Sequence, residues 1–161
     1  MPIELTKSRE HITTFLNQNH AGVLATADKT GRPHAATIYI TYDQQFNMYF
    51  VTKKDTQKNR NVKTNPRAAI AIFDQASQTT VQAEGTISEV TDPDQQEWVF
   101  NDIWNIAFRV NRAGPPTTRM NAGGYVVYKL SASALRLAKF NTPLPNEDDH
   151  IFEVIPMRPT L

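Results

Sequence analysis

Three strand-like runs crowd into the stretch between Gly22 and Thr52, separated by turns too short to hold a helix. Gly22-Val23-Leu24-Ala25-Thr26-Ala27 is apolar and strand-compatible, Asp28-Lys29-Thr30-Gly31 is a turn sequence, and His34 to Tyr42 carries β-branched and aromatic residues. Asp43-Gln44-Gln45-Phe46-Asn47 is a second turn and Met48-Tyr49-Phe50-Val51-Thr52 a third strand. Such turns give antiparallel hairpins. Parallel neighbours need a crossover of about a dozen residues or more, so the spacing argues against a doubly wound α/β fold.

The rest of the chain extends the pattern. Ile12, Phe15 and Leu16 fall at i, i+3, i+4, which predicts a helix over 6–20 with Gly22 as its stop. Asp55 or Thr56 can cap a helix running to about Asn65, where Pro66 ends it. Val62 is its one apolar residue, so it should lie on the surface. Ala68 to Phe73 and Thr79 to Val90 read as strands, with Gly85 allowing a bend or bulge. Asp92-Pro93-Asp94 opens an apolar helix whose Trp98 and Trp104 read as core. Residues 111–124 are loop-like, around Gly114-Pro115-Pro116 and Gly123-Gly124, and Tyr125–Leu130 and Ala134–Phe140 read as final strands. The tail over 141–161, with four prolines and Glu147-Asp148-Asp149, reads as irregular. No repeat or linker divides residues 1–161, which predicts one mainly β domain: an antiparallel barrel with helices packed outside.

Composition removes several functions. Net charge is +1, so the chain is no polyanion binder as a whole, and no nucleic-acid partner is expected. No apolar run approaches the roughly 20 residues of a membrane span, and the first residues lack a signal-peptide core, so a cytoplasmic location is expected. Cysteine is absent, which removes disulfides and thiol chemistry. His11, His20, His34 and His150 lack metal-ligand spacing, so no metal site is expected.

Basic residues cluster at one place. Lys53, Lys54, Lys58, Arg60, Lys63 and Arg67 lie between Thr52 and Arg67 against one acid, Asp55. A strand ends at Thr52 and a helix starts near Thr56. A helix start offers unpaired N–H groups and the positive end of the dipole, Thr52 and Thr56 add hydroxyls, and Lys58 adds a charge: together, a setting for a phosphate. The same residues also read as a solvated basic helix with an ordinary threonine cap.

The order of these pieces resembles the pyridoxamine 5′-phosphate oxidase-like family of FMN-binding split barrels. Gly22-Val23-Leu24-Ala25-Thr26 with Gly31-Arg32-Pro33 looks like its opening hairpin. Thr52…Thr56-Gln57-Lys58 and Asn65-Pro66-Arg67-Ala68-Ala69 look like its phosphate-binding strand–helix and following strand, and Gln82-Ala83-Glu84-Gly85 like the next strand. The resemblance implies an antiparallel split β-barrel, a homodimer, and FMN at the dimer interface. It places Val51 beside the cofactor and gives Thr52, Thr56, Gln57 and Lys58 the phosphate and ribityl chain. Thr37, Ile38 and Tyr39 would line the flavin ring, and Thr80 and Gln82 would reach it from the facing subunit.

The departures bear on the reaction. Where the true oxidase has an arginine and a lysine on the second strand, this chain has Ala36 and Thr41, and its tail has no Arg-x-His. Oxidation of pyridoxamine phosphate is therefore not expected, and the chain looks more like the general stress or flavin-binding branch. The reading is an FMN-dependent oxidoreductase with an unassigned small-molecule substrate or electron donor and no assigned catalytic residue. The alternative is a non-catalytic or stress-response protein that binds flavin, haem or a deazaflavin.

Overall fold

The computed structural model describes residues 3–140 and 152–157. The chain runs α1 (Ile3–Gln18), β1 (Ala21–Ala27), β2 (Pro33–Tyr39), β3 (Thr41–Tyr42), β4 (Met48–Lys53), α2 (Gln57–Thr64), β5 (Arg67–Asp74), β6 (Thr79–Glu89), α3 (Pro93–Asn111), a 3₁₀ turn (Pro116–Arg119), β7 (Tyr125–Lys139) and β8 (Phe152–Pro156). All strand pairs are antiparallel, in the order β2-β1-β5-β6-β7-β4-β3, with β8 on β7.

That order explains the curvature. β2 and β3 are consecutive, separated by Ile40 alone, yet lie at opposite ends of the sheet. One residue can join the two ends only if the sheet curls until they meet, which is a barrel. Ile40 marks the corner: it is 1% exposed and its N–H donates to the His20 carbonyl at 2.8 Å. The result is the mainly β split barrel expected, with helices against it.

The alternating strands send Leu24, Phe50, Ile70, Val81 and Leu135 into one interior, joined by Ile12, Phe15 and Leu16 of α1. β4 is buried on both faces, because α3 covers its outer side with Val99 and Ile103 against Tyr49 and Val51. Among the described residues no helix is long and apolar enough to cross a membrane.

Several boundaries and roles differ from expectation. α1 ends at Gln18, and Gly22 lies inside β1, where a Cβ would stand 2.8 Å from the Ala71 carbonyl oxygen: this glycine serves a close approach, not a helix stop. β7 is one strand, not two. Its first half pairs with β4 and its second half with β8, and opposite Glu84/Gly85 of β6 it bulges, leaving Ser133 unpaired. A Cβ at Gly85 would lie 2.0 Å from the Ser131 carbonyl oxygen, so only glycine fits that bulge. Residues 152–156, expected to be irregular, form β8 with Ile155 in the core; residues 141–151 and 158–161 lie outside the described residues. Trp98 and Trp104 are not core but 40% and 39% exposed, because α3 buries only the stripe Val99, Ile103, Ile106 and Ala107.

Candidate functional site

α2 is a polar helix held down by buried amides. Asn59 and Asn61 are each 2% exposed, a role that hydrophobic periodicity does not reveal. The Tyr128 hydroxyl donates to Asn59 Oδ1 at 2.5 Å, Asn59 Nδ2 to the Lys54 carbonyl at 2.6 Å, and Asn61 Nδ2 to Thr26 Oγ1 at 3.0 Å. A buried amide without partners costs about 1–3 kcal/mol, so these bonds fix α2 against the barrel mouth.

Thr56 is the N-cap, as the sequence suggests. Its Oγ1 accepts from the Asn59 N–H at 3.4 Å, donates to the Lys53 carbonyl at 2.8 Å, and lies 3.2 Å from Thr52 Oγ1. Both threonine hydroxyls thus bond within the turn, and Thr52 is 1% exposed. Gln57 is exposed and spends its amide N–H on Asn61 Oδ1. The cap takes the Asn59 N–H, which leaves those of Gln57 and Lys58 without a partner within the helix.

Lys58 is partly buried and makes no ion pair or hydrogen bond with any described residue; the ion pair among those residues is Arg136–Glu84. Burial without a counter-ion holds its ammonium below the usual lysine range. Lys53, by contrast, sits over the Tyr125 ring, 3.8 Å from its centroid.

Lys58 lines a cleft of about 360 Å³ together with Thr37, Ile38, Tyr39 and Val51. Five of the ten residues singled out from the sequence therefore meet there. The volume is at the small end of the range for ligand pockets, about 300–1,000 Å³. The opposite wall is the loop after α3: Pro115, Pro116, Thr117 and Met120. Thr117 Oγ1 is buried and has no hydrogen-bond partner, an unmet demand in the residue that lines this wall. The Gly114-Pro115-Pro116 motif flags the loop, but no sequence signal points to Thr117. A half-buried cation without a partner, at a helix start and beside an apolar slot, fits a flat ligand with a phosphate tail.

Thr80 and Gln82 do not line this cleft. Thr80 is 6% exposed and donates its hydroxyl to the Ile72 carbonyl at 2.9 Å. The register puts Thr37, Val23, Ala71 and Gln82 in one row across β2, β1, β5 and β6, all on the outer face. Three strand spacings separate Thr37 from Gln82, about 14 Å. The neighbouring row holds Ala35, Ala25, Ala69 and Glu84, so mostly small side chains make this face flat.

Comparison with known proteins bears on the family and the fold. The profile of the family described as pyridoxamine 5′-phosphate oxidase matches residues 8–138. A pyridoxine/pyridoxamine 5′-phosphate oxidase of Pseudomonas paraeruginosa is 27% identical over 141 residues, covering 86% of this chain; the chain spans 64% of that relative's length. General stress protein 26 of Bacillus anthracis superposes with a TM-score of 0.61 at 21% identity, over 80% of this chain and 92% of that one. An FMN binding protein of Nostoc punctiforme gives 0.59 at 13% identity, over 94% and 97%. A heme binding protein of Mycobacterium smegmatis gives 0.65 at 15%, over 97% and 59%. At these identities the structural likenesses establish the fold alone.

Proposed function

The chain belongs to the pyridoxamine 5′-phosphate oxidase family, and on that premise we propose that it binds FMN in the Lys58 cleft and acts as an FMN-dependent oxidoreductase on a small molecule. The observation that carries this reading is the half-buried, unpaired Lys58 ammonium at the start of α2, in one slot with Thr37, Ile38 and Tyr39. Lys58 and the first-turn N–H groups would hold the phosphate, β2 would lie along the ring, and Thr117 Oγ1 would meet a polar atom of the ligand. When bound, FMN supplies the hydride chemistry itself, and the protein contributes binding, orientation and an open face.

The reading includes a homodimer. Gln82 of one chain stands about 14 Å from its own Thr37, too far to share a ring with it. A second copy laid on the flat face of β2, β1, β5 and β6 can bring its Gln82 over that ring. The exposed Val23 and Phe73 on the same face favour such a cover. Pyridoxamine phosphate is not the proposed substrate. Ala36 carries no charge, and the Thr41 hydroxyl is bonded to Asp102.

Purified protein and its cofactor-free form test the reading. An absorption band at about 450 nm and calorimetric saturation by FMN are expected, with bleaching by an electron donor and turnover with an acceptor. Lys58→Ala should weaken FMN binding by about tenfold or more while changing riboflavin binding little, the loss expected for one charge-assisted bond. Equal losses for both ligands would move the lysine off the phosphate. A bound haem in place of flavin, or no heat on adding FMN, would sink the assignment.

A further inference from the structure

A second cleft, of about 900 Å³, lies between α1, β3 and α3. It shares a wall one residue thick with the Lys58 cleft. His20 lines the larger space and Ala21 the smaller, Asp102 the larger and Ile103 the smaller, and Thr41 and Tyr39 flank Ile40 on opposite sides. The wall's chemistry is specific. Trp98, Asp102 and Ile106 form an i, i+4 stripe of α3 facing this space. Trp98 is 40% exposed and held edge-on against Tyr49, with ring centroids 5.2 Å apart. Asp102 Oδ2 accepts the Thr41 hydroxyl, whereas Oδ1 accepts nothing from any described residue.

Of the other charges lining the cleft, Asp43 and Arg9 are committed, and Glu10 and Arg109 are exposed. Asp43 is saturated by the Gln45 and Asn47 N–H groups, the Asn47 amide and the Tyr49 hydroxyl. Arg9 donates to the Gln44 carbonyl at 3.2 Å and lies over the Phe46 ring, and Arg109 is exposed in the last turn of α3. Against the shared wall Asp102 Oδ1 is thus a free carboxylate oxygen beside an indole, with the His20 ring on the same wall. We propose that this cleft is a second ligand site, and that it takes a planar aromatic molecule carrying an ammonium or N–H donor rather than a phosphate ester. The donor meets Asp102 Oδ1 and the ring lies along Trp98 and Ile106. The site lies across a wall from the Lys58 cleft, and its binding chemistry rests on this cleft alone.

Calorimetric titration with 2-phenylethylamine, 2-phenylethanol and phenyl phosphate, beside a separate FMN titration, tests the proposal. The amine should saturate and bind tighter than the other two. Asp102→Asn should weaken the amine by about tenfold and leave FMN affinity unchanged. Trp98→Arg, at an exposed position of the same stripe, should turn the preference toward phenyl phosphate. Phenyl phosphate binding the native protein best, or an amine affinity indifferent to both substitutions, would overturn the proposal. Amine binding without FMN binding would sink the cofactor assignment and leave this site standing, whereas the reverse result would remove this site alone.

Discussion

At the scale of single residues, the chemistry rests on Lys58. Desolvation lowers its pKa from the ordinary 10.5. A lysine whose folded pKa is depressed destabilises the cofactor-free protein at neutral pH, where the charge must be held without full hydration. That cost fades as pH rises through the folded value. A bound phosphate dianion reverses the effect by pulling the proton back on. FMN affinity should therefore fall as pH rises through the Lys58 pKa of the free protein, below 10.5, while riboflavin affinity stays flat across the same window. Parallel titrations of the two ligands over alkaline pH check this, and parallel curves would contradict it. Lys58 and the Thr56 cap were legible in the sequence because charge and capping act locally. That both threonine hydroxyls turn inward was not, because the bonds that take them, to the Lys53 carbonyl and between the two side chains, form only once strand and helix are in place.

At the scale of elements, the β6–β7 ribbon is the least forgiving part of the fold. Gly85→Ala would drive a methyl into the Ser131 carbonyl at the bulge. Overpacking against backbone costs about 1–3 kcal/mol, and urea unfolding should show a lowered midpoint of that size. An unchanged midpoint would mean that the ribbon relaxes around the methyl. The sequence marked the bulge through Gly85 but split β7 at Ser131-Ala132-Ser133. Serines weaken a strand signal, yet Ser133 is the residue the bulge skips, and its hydroxyl donates to the Glu84 carbonyl. β8 escaped notice for a related reason. Phe152–Pro156 is a short edge strand among prolines, and pairing with β7 makes it a strand.

At the scale of the whole molecule, the proposed dimer would make the outer face of β2, β1, β5 and β6 link assembly to cofactor binding. Ala71 lies in the middle of that face, exposed, in one row with Thr37, Val23 and Gln82. Ala71→Arg would place a charge where two copies meet, well away from Lys58. If the proposed dimer completes the site, the variant should elute as a monomer by light scattering and lose FMN affinity together. A monomer that keeps full FMN affinity would show that one chain holds the whole site.

The sequence by itself determined what depends on neighbours along the chain: hairpins where turns are short, the α2 cap, the bulge glycine, the basic cluster and the family to which these belong. Tertiary structure decided what depends on residues distant in the chain. It chose which face of α3 is buried, and so left Trp98 and Trp104 to solvent. It brought Thr117 into one cleft with Lys58, and it set Asp102 one residue from the lining of that cleft. The physical reason is that local backbone preference and capping bonds are written in adjacent residues. Clefts and unmet hydrogen bonds exist only after the sheet has curled so that Tyr39 and Thr41 stand on opposite sides of one wall.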